Sequence, residues 1–181
     1  MSLRNTFGPA KGKLNIVLEG MSDCIYMHTM AKTLGYDLSK YSFIPSVGAT
    51  NCINTCNILY GWGCPFCAVF DYDNEGVTKG GEVLQNKFEY ELGKQYIYIK
   101  PVTQKDVTDK TYKDSPCRIE DIVTRDELDK FIKSSSAKKN DSKTLIAKLF
   151  SDAIETGSHT VGSECEESFR NLLERITAIN K

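Results

Sequence analysis

A chain of 181 residues with 40% apolar and 26% charged residues has the length and composition of one globular domain and is short for two. Its formal net charge of -1 gives no global basic field and so argues against a simple electrostatic DNA binder. The same charge says little against a metal-dependent enzyme, because bound divalent ions supply positive charge that a residue count omits.

The opening "MSLRNTFGPAKGK" lacks the apolar core of a signal peptide, and no later apolar run approaches membrane-spanning length. A cytoplasmic location without a membrane partner is expected. Seven cysteines, an odd number with no secretory signal, point to free thiols in a reducing compartment. Residues 1–12 read as a leader or linker, with "MSL" like an expression leader before an excised domain. Residues 13–181 read as the folded domain.

From residue 13 strand and helix patterns alternate. "KLNIVLEG" is a buried strand closed by a glycine. "SDCIYMHTMAKTLG" has helical spacing, with Ser22 at its start and Gly35 at its stop. "YSFIP" is a second strand running into a Ser/Gly turn, and "NCINTCNILYG" a second helix with Ile53, Ile58 and Leu59 as its apolar face. "CPFCAVFDYD" is a third strand, "EVLQNKFEYELG" a helix and "QYIYIK" a fourth strand. This order predicts an α/β fold with a mainly parallel sheet of roughly four strands between helices. Right-handed crossovers then place the carboxyl ends of the first three strands along one edge, where ligands of such sheets bind.

The second half reads differently. Residues 102–117 are polar and predicted irregular. "RIEDIVTRDELDKFIK" predicts a helix from about Thr124 with Glu127 at capping-box spacing, and "SSSAKKNDS" a polar linker. From about residue 142 two amphipathic helices follow, one striped by Leu145, Ile146, Leu149, Phe150, Ala153 and Ile154, the other by Phe169, Leu172, Leu173, Ile176 and Ile179. Trp62 is expected to anchor its loop on the sheet edge.

The carboxylates fall at one end of this scheme. Glu19 ends the first strand and Asp23 lies one helical turn later; Asp71 ends the third strand and Asp73 follows two residues on, on the same face of an extended chain. Converging carboxylates repel one another, and a cation among them relieves the repulsion. Hard oxygen ligands select Mg²⁺ or Mn²⁺. The plainer alternative makes each acid an N-cap or a turn residue, and Glu75 either joins the cluster or opens the next helix.

"EGMSD" (Glu19, Gly20, Asp23) followed by "DYDNEG" (Asp71, Asp73, Gly76) resembles the paired signature of the Toprim domain. "IPSVGATN" (Ser46, Gly48), "RIEDI" and "KTLIAKLF" are similar to the version found in the overcoming-lysogenization-defect (OLD) family, so the resemblance covers about residues 13–150. It implies a compact, mainly parallel sheet between helices and a nuclease that cleaves DNA phosphodiesters with divalent metal, Mg²⁺ or Mn²⁺, in a pair of sites. By matching position, Glu19, Asp23, Asp71 and Asp73 become metal or metal-water ligands, with Glu19 and Asp71 catalytic. Glu120 becomes a ligand of the second metal, with Asp121 as its neighbour. Lys143 would stabilise charge on the phosphate, a place for which Lys139 and Lys148 compete. OLD proteins carry an ATPase ahead of this domain; no "GxxxxGK[ST]" occurs here, so the implied partners are an ATPase domain outside this chain, DNA and further copies of the chain.

Two other readings compete. Cys52, Cys56, Cys64 and Cys67 form C-x3-C-x7-C-x2-C, a pattern that a non-catalytic, zinc-stabilised binding module would use. A phosphotransfer receiver also groups aspartates at strand ends, but the glutamate ending the first strand and the full DxDxxG do not fit it. His28 and His159 do not form a pair by spacing.

Overall fold

The runs LNIVL and FCAVF are apolar or small throughout except for Asn15, as strands covered on both faces must be. In the computed structural model, which describes residues 7–179, they are β1 (Leu14–Leu18) and β3 (Phe66–Phe70), neighbours at the centre of a four-stranded sheet. β2 (Tyr41–Pro45) flanks β1, β4 (Tyr96–Tyr98) flanks β3, and every pairing is parallel. The fold is therefore α/β, with an all-parallel sheet where a mainly parallel one was expected. Buried Asn15 is satisfied by donating to the Ala10, Lys13 and Pro65 carbonyls at 3.0–3.1 Å.

Side chains alternate cleanly between two core layers. Leu14, Ile16, Leu18, Cys67, Val69 and Ile97 face one layer; Val17, Ala68, Phe70, Tyr96 and Tyr98 face the other. α1 (Met21–Thr33) lies in the first layer and α2 (Ala49–Gly61) in the second. The strand order β2-β1-β3-β4 thus reverses direction at β1, and the crevice between the carboxyl ends of β1 and β3 is the topological switch point.

α1 is buried almost all round because α7 (Lys143–Glu155) and α8 (Ser163–Ala178) cover its outer side. A buried hydrogen bond of 2.8 Å from Thr29 to Ser151 ties α1 to α7. The stripe predicted for α8 is the buried face, with Phe169, Leu172, Leu173 and Ile176 inward; in α7 Phe150 is fully buried but Leu145 is 42% exposed.

Several expectations change. The buried face of α2 is Ala49, Cys52, Ile53, Cys56 and Leu59, so the cysteines replace Ile58, which is 50% exposed. Trp62 does not anchor its loop: it stands 64% exposed, because Cys64 closes the turn through its N–H to the Leu59 carbonyl. The polar stretch after β4 contains α4 (Gln104–Thr108) and a 3-10 turn at Thr111–Lys113. The helix expected from about Thr124 is α6 (Arg125–Ser134), and a short helix not foreseen, α5 (Ile119–Val123), precedes it across Thr124, whose φ is +69°. Thr124 caps α6 through the Glu127 N–H at 3.2 Å, but the Glu127 carboxylate does not return to it. That carboxylate is buried against His159 Nε2 at 2.7 Å and the Gly162 N–H at 3.1 Å. Of the stretch 1–12 read as leader or linker, residues 1–6 lie outside the described residues; Phe7 bridges to Phe43 on the edge of the sheet. His28 is wedged between the Phe7 and Phe43 rings at 5.9 and 6.0 Å.

The largest departure comes after β3. The chain turns helical at Asn74, passes through a π-helical segment at Gly76–Gly81 and continues as α3 (Glu82–Phe88), which ends at Glu89 in the left-handed region. This segment lies against the sheet so closely that a Cβ on Gly80 would stand 2.6 Å from the Phe70 ring and one on Gly81 2.1 Å from Tyr98 Oη. Gly61, by contrast, ends α2 facing open space. We expect Gly80→Ala to destabilise the fold by about 1–3 kcal/mol through overpacking, and Gly61→Ala to leave it unchanged or slightly more stable, as read by urea denaturation.

Candidate metal centre

The carboxyl ends of β1 and β3 bring Glu19 and Asp71 together, and the Asp71 N–H donates to Glu19 Oε1 at 3.0 Å. Asp23 sits in the first turn of α1, where the Gly20 N–H donates to Oδ2 at 2.8 Å and the Ser22 hydroxyl to Oδ1 at 3.1 Å. That is half of a capping box: the glycine has no side chain to complete it. An antiparallel bridge between Tyr72 and Cys117, closed by N–H···O bonds of 2.8 and 3.0 Å, pins the "RIED" segment beside the "DYD" turn. Through it Arg118 and Glu120 arrive at the same edge. The first residue of α7, Lys143, stands with Nζ 2.9 Å from Glu120 Oε1, in a contact whose angles do not make a hydrogen bond.

Electrostatics record the crowding. Burial above all, then repulsion from Asp23, Glu19, Glu120 and Asp73, pushes the Asp71 carboxyl up to about 8. Burial pushes Glu19 up to about 7, with added repulsion from Asp73, Asp23 and Glu75, against the pull of the Asp71 N–H. Asp23 is raised by burial and by Glu120, partly offset by its hydrogen bonds and by Lys143. Asp71 Oδ1 is buried and has no hydrogen-bond partner, a condition that costs about 1–3 kcal/mol for a neutral group and more for a charged one.

Asp73 behaves differently. Its Oδ1 accepts from the Glu75 and Gly76 N–H groups at 2.9 and 3.0 Å, which makes it the N-cap of the next helix, and Arg118 Nε donates to Oδ2 at 2.9 Å. Burial pulls this carboxyl up, but the backbone donors and the guanidinium together hold it below the usual range. For Asp73, then, the capping alternative describes the geometry. Gly76 is fixed by the same turn: a Cβ there would stand 2.1 Å from the Asp71 carbonyl oxygen and 2.9 Å from Glu19 Oε1. The glycine of DxDxxG is therefore needed for close approach to the carboxylates.

Among the described residues no three His, Cys, Asp or Glu side chains close on a point that would hold a metal as they stand. Glu19, Asp23 and Asp73 each spend oxygens on local donors, whereas the buried Asp71 Oδ1 and Glu120 Oε1 accept no hydrogen bond. The donor set suits a hard divalent cation, all oxygen and mutually repelling. Asp121 instead accepts from the Arg118 N–H at 2.8 Å, and Lys148 pairs with Asp152 at 3.3 Å on the next turn of α7. Arg118 had no assigned role in the sequence; its only signal there was its place two residues before Glu120.

The cysteines do not assemble. Cys52, Cys56 and Cys64 lie in the α2 layer, whereas Cys67 points into the layer on the opposite face of the sheet. Burial pushes the thiols of Cys56 and Cys67 up to about 12. They pack as small apolar side chains.

Set against known proteins, the chain matches no family model, no curated protein and no solved structure.

The raised carboxyls set a pH dependence. A carboxyl whose folded value lies above its unfolded one stabilises the fold at low pH, and that contribution is lost as pH rises through the folded value. For Glu19 and Asp71 the loss runs from the ordinary carboxylate range up to about 7 and about 8. Metal-free protein is expected to melt at progressively lower temperature across that window in EDTA. Asp71→Asn should flatten the decline, and Mn²⁺ should restore stability at the alkaline end for the parent but not for the variant.

Proposed function

We propose that this chain is a divalent-metal-dependent nuclease domain of Toprim type, the catalytic part of an OLD-type protein, that cleaves DNA phosphodiester bonds. The observation that carries the reading is Asp71 Oδ1, a partnerless buried oxygen among further carboxylates at the switch point of a parallel sheet. Glu19, Asp23, Asp71 and Glu120 would hold Mg²⁺ or Mn²⁺, in a pair of sites. When bound, the metal supplies Lewis acidity and a lowered pKa for its water.

The chain's own residues have separate parts. Asp71 and Glu19 release their protons on loading, so loading is favoured as pH rises. Asp73 keeps the helix beyond it capped, and Gly76 keeps that helix close. Lys143 and Arg118 stand at the rim in labile ion pairs with Glu120 and Asp73. An incoming phosphodiester competes for both cations, and Lys143 then stabilises its developing charge. An acidic edge repels DNA until cations neutralise it, so the same loading also governs substrate binding.

All seven cysteines are free thiols, which fits a reducing, cytoplasmic setting. Among the described residues no helix is long and apolar enough to cross a membrane. An ATPase domain outside this chain and association of copies belong to the same reading.

The test is nicking of supercoiled DNA with Mn²⁺ or Mg²⁺, alongside calorimetric titration of Mn²⁺. Asp71→Ala and Glu19→Ala should abolish metal binding and nicking. Lys143→Ala should keep metal binding and lose about 10²–10³-fold in rate. Unchanged metal binding in both carboxylate variants would overturn the site, whether or not the isolated domain cuts DNA.

A further inference from the structure

A second feature lies away from the acidic edge, on the open side of β4. Arg175 of α8 reaches under the end of this strand, donating from Nη1 to the Tyr98 carbonyl at 2.8 Å, from Nη2 to the Ile99 carbonyl and from Nε to Asn171 Oδ1 at 3.1 Å. All three acceptors are neutral. Among the described residues no carboxylate pairs with it. Burial pulls this guanidinium below its usual value, the direction expected of a cation that lacks a counter-charge.

The same Arg175 lines a cavity of about 560 Å³ that wraps the free edge of the sheet. That volume is within the range of small-molecule sites, roughly 300–1,000 Å³. Leu92, Ile97 and Val102 supply apolar wall, and Gln85 and Gln104 supply polar groups that meet each other at 3.3 Å. Glu91 also borders the cavity, but its charge is taken up by Lys94 at 2.8 Å.

We propose that this cavity binds a small organic oxyanion, a carboxylate or a phosphate monoester on an apolar body, with Arg175 as its counter-charge. Each terminal nitrogen of the guanidinium keeps one N–H beyond its bond to the strand, so donors remain for the oxygens of an oxyanion. A half-buried cation without a partner is costly, and a bound oxyanion removes that cost. The apolar wall selects against inorganic ions. The site is independent of the metal reading, since none of its residues belongs to the acidic edge.

Phenyl phosphate and benzoate, titrated into the full chain at constant ionic strength and followed by calorimetry and amide NMR, test this. We expect saturable binding of at least one, with shifts at Leu92, Val102 and Gln104; which probe binds tighter tells phosphate from carboxylate. Arg175→Gln should weaken binding about tenfold or more, the scale of a charged hydrogen bond. Gln104→Glu should do the same by placing a carboxylate in the wall while leaving the bonds of Arg175 to β4 intact. If Arg175→Gln fails to fold, Gln104→Glu decides alone. No saturation by either probe below about 10 mM, or parental affinity in a folded variant, would overturn the proposal.

Discussion

The parallel pairing of β1 with β3 is the contact on which the rest depends. Its register sets Leu18 opposite Val69, so the two chains leave the sheet side by side as Glu19 and Asp71. The carboxylates converging there repel one another, and burial, the larger effect, disfavours their charged forms further. Burial raises both carboxyls and so favours their protonated forms, and Glu19 also has a backbone donor. Everything else at this edge is arranged around that repulsion: two cations at the rim, a helix cap that absorbs Asp73, and a glycine that admits the next turn.

The second half of the chain completes this edge by covering one face of the sheet. α7 and α8 bury α1, and in doing so they fix where α7 begins, which is where Lys143 stands. The Tyr72–Cys117 bridge does the same for Arg118 and Glu120. Long-range packing of the helices and two short backbone hydrogen bonds thus decide which distant residues reach the carboxylates.

Legibility in the sequence depends on which forces are local. Strands β1 to β4 and the helices α1, α2, α7 and α8 were readable because hydrophobic periodicity reports burial directly. Glu19, Asp23 and Asp71 were readable as neighbours because strand ends of a parallel sheet share an edge. The capping role of Asp73 was readable only as an alternative, since two donors and Arg118 had to be seen to choose it. Arg118 itself was invisible, because the bridge that delivers it joins residues far apart in sequence. On α2 the buried face runs through Cys52 and Cys56 rather than the expected Ile58, because a thiol packs there as a small apolar group. The helix expected from Glu82 starts earlier, at Asn74, because Gly76, Gly80 and Gly81, which carry no apolar periodicity, serve close packing on the sheet.

That glycine-bearing segment also sets the phase of α3. Gly76–Gly81 is π-helical, with a wider turn than an α-helix, and its buried residues Gly76, Val77, Gly80 and Gly81 share a face with Leu84 of α3. One turn thus holds a residue more than α-helical geometry allows. Were that turn to tighten to α-helical geometry with the residue still in place, all of α3 would rotate by about 100° relative to the cap at Asp73. Leu84 would swing out of the core while the carboxylates stayed in place. The wider turn therefore acts as a fixed angular offset, letting a helix whose start is dictated by the acidic edge still meet the sheet with its apolar side.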